Sequence, residues 1–247
     1  MKQVIILAGG KGTRMNGDGP KVLRPVLGRP MIDYVLDAVA DCRIERQPVV
    51  VVGFQGEKVR SQVKGRADIV WQKEQLGTGH AVACARKKLG ELNGAILVLY
   101  GDHPLVSGRT VSHLFDWHFE NRAMITMMTT EVEDFSDWRQ GFWGFGRILR
   151  NSNNICGIRE LKDCSEEEKA VRELNPGYYC FDAKWLWQNI DLLKNENNQK
   201  EYYLTDLIGL AFQQNQNINS LKIHPLECIG VNTSEQLQLV EDLLKKM

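Results

Sequence analysis

The chain has 247 residues, with 31 Lys+Arg balancing 31 Asp+Glu, and 43% of it is hydrophobic. That length and composition suit a folded protein with a substantial core and exclude disorder as the main state. Zero net charge excludes bulk positive field as the means of gripping nucleic acid or an anionic membrane. The average hides an asymmetry, because residues 1–30 hold Lys2, Lys11, Arg14, Lys21, Arg24 and Arg29 against one acid, Asp18, together with six of the 22 glycines. A local, glycine-rich, basic opening on a neutral chain has the profile of an anion site.

Taken in order, residues 4–8 are an apolar run that reads as a buried strand ending in Gly9-Gly10. Pro30 suits the first turn of a helix, and Met31, Ile32, Tyr34, Val35 and Val39 keep helical spacing. Residues 49–52, 68–72 and 95–100 read as further strands, with helices expected over 55–64 and 81–89. Strand–helix alternation with β-branched runs implies a parallel sheet covered on both faces. From about residue 124 the pattern changes: a strand over 124–130, an aromatic stretch holding Trp138, Phe142, Trp143 and Phe145, and a hairpin signal at Asn151-Ser152-Asn153-Asn154. Ser165 before Glu166-Glu167-Glu168 predicts a capped, solvated turn of helix. A strand at 178–181, helices at 183–193 and 205–213, a strand at 218–224 and a closing helix at 234–245 complete the chain. The expectation is a single α/β domain over 1–247. A nucleotide-binding half spans about 1–123, and a half with an inserted acceptor-side subregion spans about 124–247.

The six cysteines are scattered, with no C-x-x-C pair, and are expected to be reduced and buried. No apolar run approaches a membrane span, and the Met1-Lys2 opening lacks a secretory h-region, so a cytoplasmic location is expected. His113 and His118 are off the i,i+4 zinc spacing and read as surface or helix-packing residues.

Three constellations carry chemistry. The first, Leu7-Ala8-Gly9-Gly10-Lys11-Gly12-Thr13-Arg14, follows the first strand, where glycines let backbone N–H groups approach a polyphosphate. It is neither of the two commoner phosphate loops. Met15 stands at the third glycine of the dinucleotide fingerprint, and Asp18 stands where the P-loop needs lysine. The second is Asp102, at the C-terminal end of the fourth strand, where ligands of open α/β sheets sit. A lone carboxylate there suits Mg2+ completed by substrate phosphates, and the competing role is capping a helix that begins near Ser107. The third is Gln72 with Gln75-Leu76-Gly77-Thr78-Gly79-His80: an amide suited to a pyrimidine edge, with glycines that admit a flat ring.

The segments LAGGKGTRM (7–15), PKVL (20–23), QLGTGHAV (75–82), YGDHPL (100–105), FGRI (145–148), EYYLTD (201–206) and GVN (230–232) occur in this order. Together they resemble the sugar-phosphate nucleotidyltransferase family, and within it the nucleotidyltransferase domain of bifunctional N-acetylglucosamine-1-phosphate uridylyltransferases. The resemblance implies a Rossmann-like, mostly parallel sheet with helices on both faces. It also implies Mg2+-dependent joining of UTP and a sugar 1-phosphate, N-acetylglucosamine 1-phosphate among the acceptors, to give UDP-sugar and pyrophosphate. Carried over by position, the glycine loop (Leu7, Ala8, Gly9, Gly10, Gly12, Thr13) and Arg14 would hold triphosphate, with Lys21 on the phosphates. Gln72, Gly77 and Thr78 would read uracil, Asp102 and Asn232 would hold Mg2+, and Gly146, Glu160, Asn175, Tyr203 and Thr205 would line the acceptor pocket. The implied partners are small molecules, neither nucleic acid nor membrane.

The sequence departs from the family on the acceptor side. His103 replaces a small apolar residue, Asn175-Pro176-Gly177-Tyr178 replaces Asn-Thr-Gly and an aliphatic residue, and 138–145 is unusually aromatic. The chain ends at Met247, so no acetyltransferase domain is expected in it, and neither acetyl transfer nor the associated trimerisation is implied. Cytidylyl or thymidylyl transfer to another phosphorylated acceptor and a non-catalytic nucleotide-sugar sensor are the rival readings.

Overall fold

A computed structural model describes residues 1–10, 19–42, 44–152 and 154–246. Strand β1 (Lys2–Ala8) is followed by a small hairpin, β2 (Pro25–Val26) and β3 (Arg29–Pro30), and by α1 (Met31–Asp41). Then come β4 (Val49–Val52), α2 (Gly56–Gln62), β5 (Asp68–Trp71), α3 (Thr78–Cys84), α4 (Arg86–Leu89), β6 (Ala95–Tyr100) and α5 (Gly108–Glu120). The second half runs β7 (Ile125–Glu131), β8 (Gly146–Asn151), β9 (Asn154–Arg159), α6 (Glu166–Lys169), β10 (Glu173–Asn175) and β11 (Tyr179–Asp182). It closes with α7 (Ala183–Asn189), α8 (Asp206–Gln213), β12 (Ile218–Lys222) and α9 (Ser234–Leu244).

Among the described residues ten strands share one sheet, in the order β5-β4-β1-β6-β11-β7-β10-β8-β9, with β12 also on β7. The β5-β4-β1-β6 half is entirely parallel, while β11 enters antiparallel between β6 and β7. The fold is thus the expected Rossmann-like α/β arrangement, a mixed and mostly parallel sheet, in which every antiparallel pairing involves a strand of the second half.

Period-two alternation explains why the first strand is apolar throughout. Ile5 and Leu7 pack with Val49, Val51, Ile96, Val98, α3, α7 and α8 on one face. Val4, Ile6 and Ala8 pack with Val50, Val52, Leu97, Leu99, α1, α2 and α5 on the other. Each fully buried aliphatic side chain of this kind contributes roughly 2 kcal/mol. A third cluster joins α9 to the β2–β3 hairpin and to the aromatic 3-10 stretch Asp137–Gly144.

Two expectations need correction. The helix expected across 81–89 is two helices, α3 and α4, meeting at Ala85. All six cysteines are free as expected, but Cys84, Cys156 and Cys164 are only half-buried. Ser165 caps α6 in a reciprocal box with Glu168, as predicted. No helix among the described residues is long and apolar enough to cross a membrane.

His118 is buried on α5, with Nδ1 3.1 Å from Thr126 Oγ1. Burial pushes its pKa down to about 4, against the opposing pull of the Asp182 charge. Its folded value lies below its unfolded one, so the stability it contributes is whole above pH 6.5 and is lost as pH falls toward 4. The loss reaches about 3 kcal/mol at the acid end. The expected result is a melting temperature that falls between pH 7 and pH 4.5, and falls less in His118→Gln, by calorimetry.

Candidate active site

Strands β1 and β6 and the loop after β5 end on one edge of the sheet and open a cleft of about 240 Å3 there. Its lining includes Leu7, Ala8, Gly9, Gly10, Lys21, Gln72, Gly77, Thr78, Tyr100 and Asp102. The described residues expected at the nucleotide and the phosphates are therefore gathered in one place. Gly12, Thr13 and Arg14 lie outside the described residues.

Asp102 follows β6, and its carboxylate is free of capping duty because Ser107 caps α5, accepting from Thr110 N at 3.1 Å. Lys21 sits in a 3-10 turn, Lys21–Leu23, anchored by buried Val22. Its Nζ donates to Asp102 Oδ2 and, at 2.6 Å, to Asn232 Oδ1. Burial alone would raise the Asp102 carboxyl, yet the Lys21 charge and its hydrogen bond hold it below the usual carboxylate range. Two protein oxygens, one anionic and one neutral, thus converge on a single positive centre. That donor set fits a hard divalent cation whose remaining ligands are phosphate and water oxygens. No group of three or more His, Cys, Asp or Glu able to hold a metal occurs among the described residues. A cation here would need substrate to complete its shell.

Asn232 owes its position to α9. Thr233 caps that helix, and Gln236 Oε1 accepts from the backbone N–H of Asn232 at 2.6 Å and of Thr233 at 3.2 Å. The T-x-x-Q spacing before an apolar run is a capping-box signature readable in the sequence, though Gln236 was not among the expected site residues.

The loop after β5 is shaped by a remote segment. Gly79 N donates to Tyr202 O and Tyr202 N to Leu76 O, both at 2.8 Å, while Thr78 Oγ1 accepts from Leu204 N at 3.1 Å. Gly77 has φ +109°, and a Cβ there would lie 2.6 Å from Tyr202 O, so only glycine fits without a shift of backbone. Gln72 Nε2 donates to Gly77 O at 3.1 Å and contacts His80 Nδ1 at 3.1 Å. Because Gly77 O can only accept, the orientation of the amide is fixed. Among the described residues Gln72 Oε1 is left as a free acceptor near Gly9.

A second pocket of about 240 Å3 adjoins the first and shares Thr78, Tyr100 and Glu201 with it. It gathers Gly146, Glu160, Asn175, Tyr203 and Thr205, the five expected acceptor-side residues, together with His103, Phe145 and Gly177. Glu160 Oε1 accepts from Thr205 Oγ1 at 3.1 Å, and burial, with Asp206 and Asp163 nearby, raises its carboxyl above the usual range despite that bond. Asn175 Oδ1 accepts from Gly177 N at 3.0 Å and Tyr179 Oη at 2.7 Å, which leaves its Nδ2 as a donor. Tyr203 Oη accepts from Gln199 Nε2 at 2.7 Å. Tyr100 and Glu201, which join the pockets, stand inside the recognised motifs, but no spacing rule marks them as the junction.

The aromatic stretch is held by Arg147, which is fully buried and donates to the carbonyls of Trp143, Phe145 and Lys169. Its guanidinium lies 5.1 Å from the ring centroids of both Phe135 and Trp143. That staple fixes the Gly144–Gly146 wall of the second pocket. Burial pushes His103 down to about 4, the Asp102 charge notwithstanding, so its ring is neutral at pH 7.

Known proteins resemble the chain over nearly its whole length. A family model described as the MobA-like NTP transferase domain matches residues 4–241. The bifunctional protein GlmU of Heliobacterium modesticaldum is 42% identical over 249 residues, covering 99% of this chain and 52% of that protein. The bifunctional protein GlmU of Pelobacter propionicus is 43% identical over 247 residues, covering 98% and 52%. The chain spans about half the length of the curated relatives it matches. Among solved structures, a putative glucose-1-phosphate thymidylyltransferase from Bacillus anthracis in complex with a sucrose superposes with a TM-score of 0.75. It shares 18% identity and covers 100% of this chain and 96% of that one, a likeness of fold.

Proposed function

The chain belongs to the MobA-like NTP transferase domain family, and from that membership we propose that it moves a uridylyl group from UTP to a sugar 1-phosphate. N-acetylglucosamine 1-phosphate is the proposed acceptor, with UDP-sugar and pyrophosphate as products and Mg2+ as cofactor. The proposal divides the chain into a nucleotide half, about 1–123, and an acceptor half, about 124–247.

The observation that carries the choice of base is the fixed amide of Gln72. Its Nε2 is tied to Gly77 O, so Oε1, an acceptor, lies beside Gly9 in the cleft lining. Uracil presents a donor, N3–H, where cytosine presents an acceptor. A buried acceptor facing another acceptor disfavours CTP by at least about a hundredfold. On the other side, Asn175 Nδ2 and Glu160 supply one donor and one acceptor to the hydroxyl and N-acetyl groups of a sugar.

A sugar 1-phosphate is largely dianionic at pH 7, its second pKa being about 6, so its oxygen needs no general base. The work of the protein is alignment and charge placement. The shared lining Thr78, Tyr100 and Glu201 supports binding of donor and acceptor in adjoining pockets. Lys21 and Arg14 are assigned to the triphosphate, where positive charge favours departure of pyrophosphate. Asp102 and Asn232 are assigned to Mg2+, which when bound neutralises charge on the reacting phosphates.

Pyrophosphate release, measured with Mg2+ across the four ribonucleoside triphosphates and dTTP against a panel of sugar 1-phosphates and phospho-alcohols, tests the proposal. UTP with N-acetylglucosamine 1-phosphate is expected to be fastest. CTP preferred over UTP would overturn the role of Gln72. Nucleotide binding with no release anywhere would favour a sensor.

A further inference from the structure

His103 is left without a task by the function above. It follows Asp102 directly, its side chain is 10% exposed, and it forms part of the wall of the acceptor pocket. Its ring stacks on Tyr100, with centroids 5.4 Å apart, and Nδ1 lies 2.8 Å from Tyr178 Oη. Tyr178 Oη is also 3.0 Å from the carbonyl oxygen of Glu227. A phenol has one proton and a carbonyl can only accept, so the tyrosine donates to Glu227 O and Nδ1–H donates to the tyrosine. With Nδ1 carrying the proton, Nε2 is the ring nitrogen that bears the lone pair.

Among the described residues Nε2 has no hydrogen-bond partner, and Asp102 Oδ1 stands 3.9 Å from it. Two acceptors facing each other at that separation need a donor or a positive charge between them. The gap is too long for a direct hydrogen bond. It suits one water that donates about 2.8 Å to each side. Gly230, two residues before Asn232, makes the approach possible, since a Cβ there would lie 2.5 Å from Nε2. The ring therefore reaches the cation oxygens from the acceptor side.

We propose that His103 is a positioning residue whose Nε2 accepts a hydrogen bond from a water carried by the divalent cation that Asp102 and Asn232 hold. The inference rests on the cation assignment made above and adds to it an anchor for the hydration shell. Hard divalent cations with few protein oxygens keep several waters, and a fixed water orients the remaining ligands. Through His103 that orientation is tied to Tyr100 and Tyr178, so the acceptor wall and the cation move as one unit.

Electron paramagnetic resonance with Mn2+ and UTP tests this in wild-type protein carrying 15N only at its histidines, beside His103→Gln, His103→Val and Asp102→Ala. Wild type is expected to bind one Mn2+ in an Asp102-dependent way, with a weak 15N coupling of the size expected across one water. His103→Val loses the coupling and binds Mn2+ about tenfold more weakly. His103→Gln, which retains an acceptor near Nε2, recovers most of the affinity. Asp102-dependent binding with no histidine coupling in wild type overturns the inference and leaves the cation assignment standing. A coupling unchanged in His103→Val also overturns it, and Mn2+ binding indifferent to Asp102 overturns both. The coupling is read in the wild type, so the test does not depend on the valine variant folding.

Discussion

Replacing Asp102 by alanine is expected to lower turnover on the order of a thousandfold, about 4 kcal/mol of transition-state stabilisation, while the fold stays intact. The carboxylate carries the negative charge of the two-oxygen set, and Asn232 alone offers a neutral amide oxygen. Its environment keeps it ionised, since Lys21 holds its pKa low against the opposing effect of burial. Structure should survive because Ser107, not Asp102, caps α5. Lys21, released from its partner, can turn into the cleft it already lines. Steady-state rates with saturating Mg2+, beside circular dichroism, check both halves. A variant within tenfold of wild-type turnover would refute the assignment of Asp102 to the cation.

Lys21→Met is expected to act in two opposite directions. Turnover should fall about a hundredfold, because positive charge is withdrawn from the triphosphate as pyrophosphate leaves. In the nucleotide-free protein, however, Mn2+ affinity should rise several-fold. The Lys21 ammonium occupies the same two oxygens that a cation needs, Asp102 Oδ2 and Asn232 Oδ1, and competes for them until a triphosphate draws it away. Mn2+ titration by paramagnetic resonance, set against kcat, separates the effects. A loss of Mn2+ affinity in the variant would mean that the lysine supports the cation site rather than filling it.

The parts of the fold legible in the sequence are those whose physics is local. β1 and β4 are runs of apolar residues because both faces of the sheet are covered, and α1 shows its buried stripe at helical spacing. β10 was not legible: Glu173–Asn175 holds one core residue, Leu174, and exists because β7 and β8 offer edges to pair with. The division between α3 and α4 at Ala85 was hidden because the apolar period runs through it. Buried Arg147 was also unreadable as a staple, since its bonds go to carbonyls, which every residue carries.

The site divides the same way. Motif order located the two pockets, because glycine loops, an acid at a strand end and the 201–206 segment each leave a compositional trace. Orientation left none. That Gln72 presents Oε1 depends on Gly77 O, that Lys21 lies between Asp102 and Asn232 depends on three separated segments, and that Nε2 of His103 is the free nitrogen depends on Tyr178 and Glu227. In the proposed reading these orientations, rather than residue identities, set base preference and the placement of charge.

Phosphorus-31 resonance of the purified protein with UTP, N-acetylglucosamine 1-phosphate and Mg2+ tests the central claim most directly. The account predicts that the sugar-phosphate and triphosphate signals decay together, while one UDP-sugar diphosphate pair and one equivalent of free pyrophosphate appear. Orthophosphate release without a UDP-sugar, or unchanged spectra despite bound UTP, would contradict it.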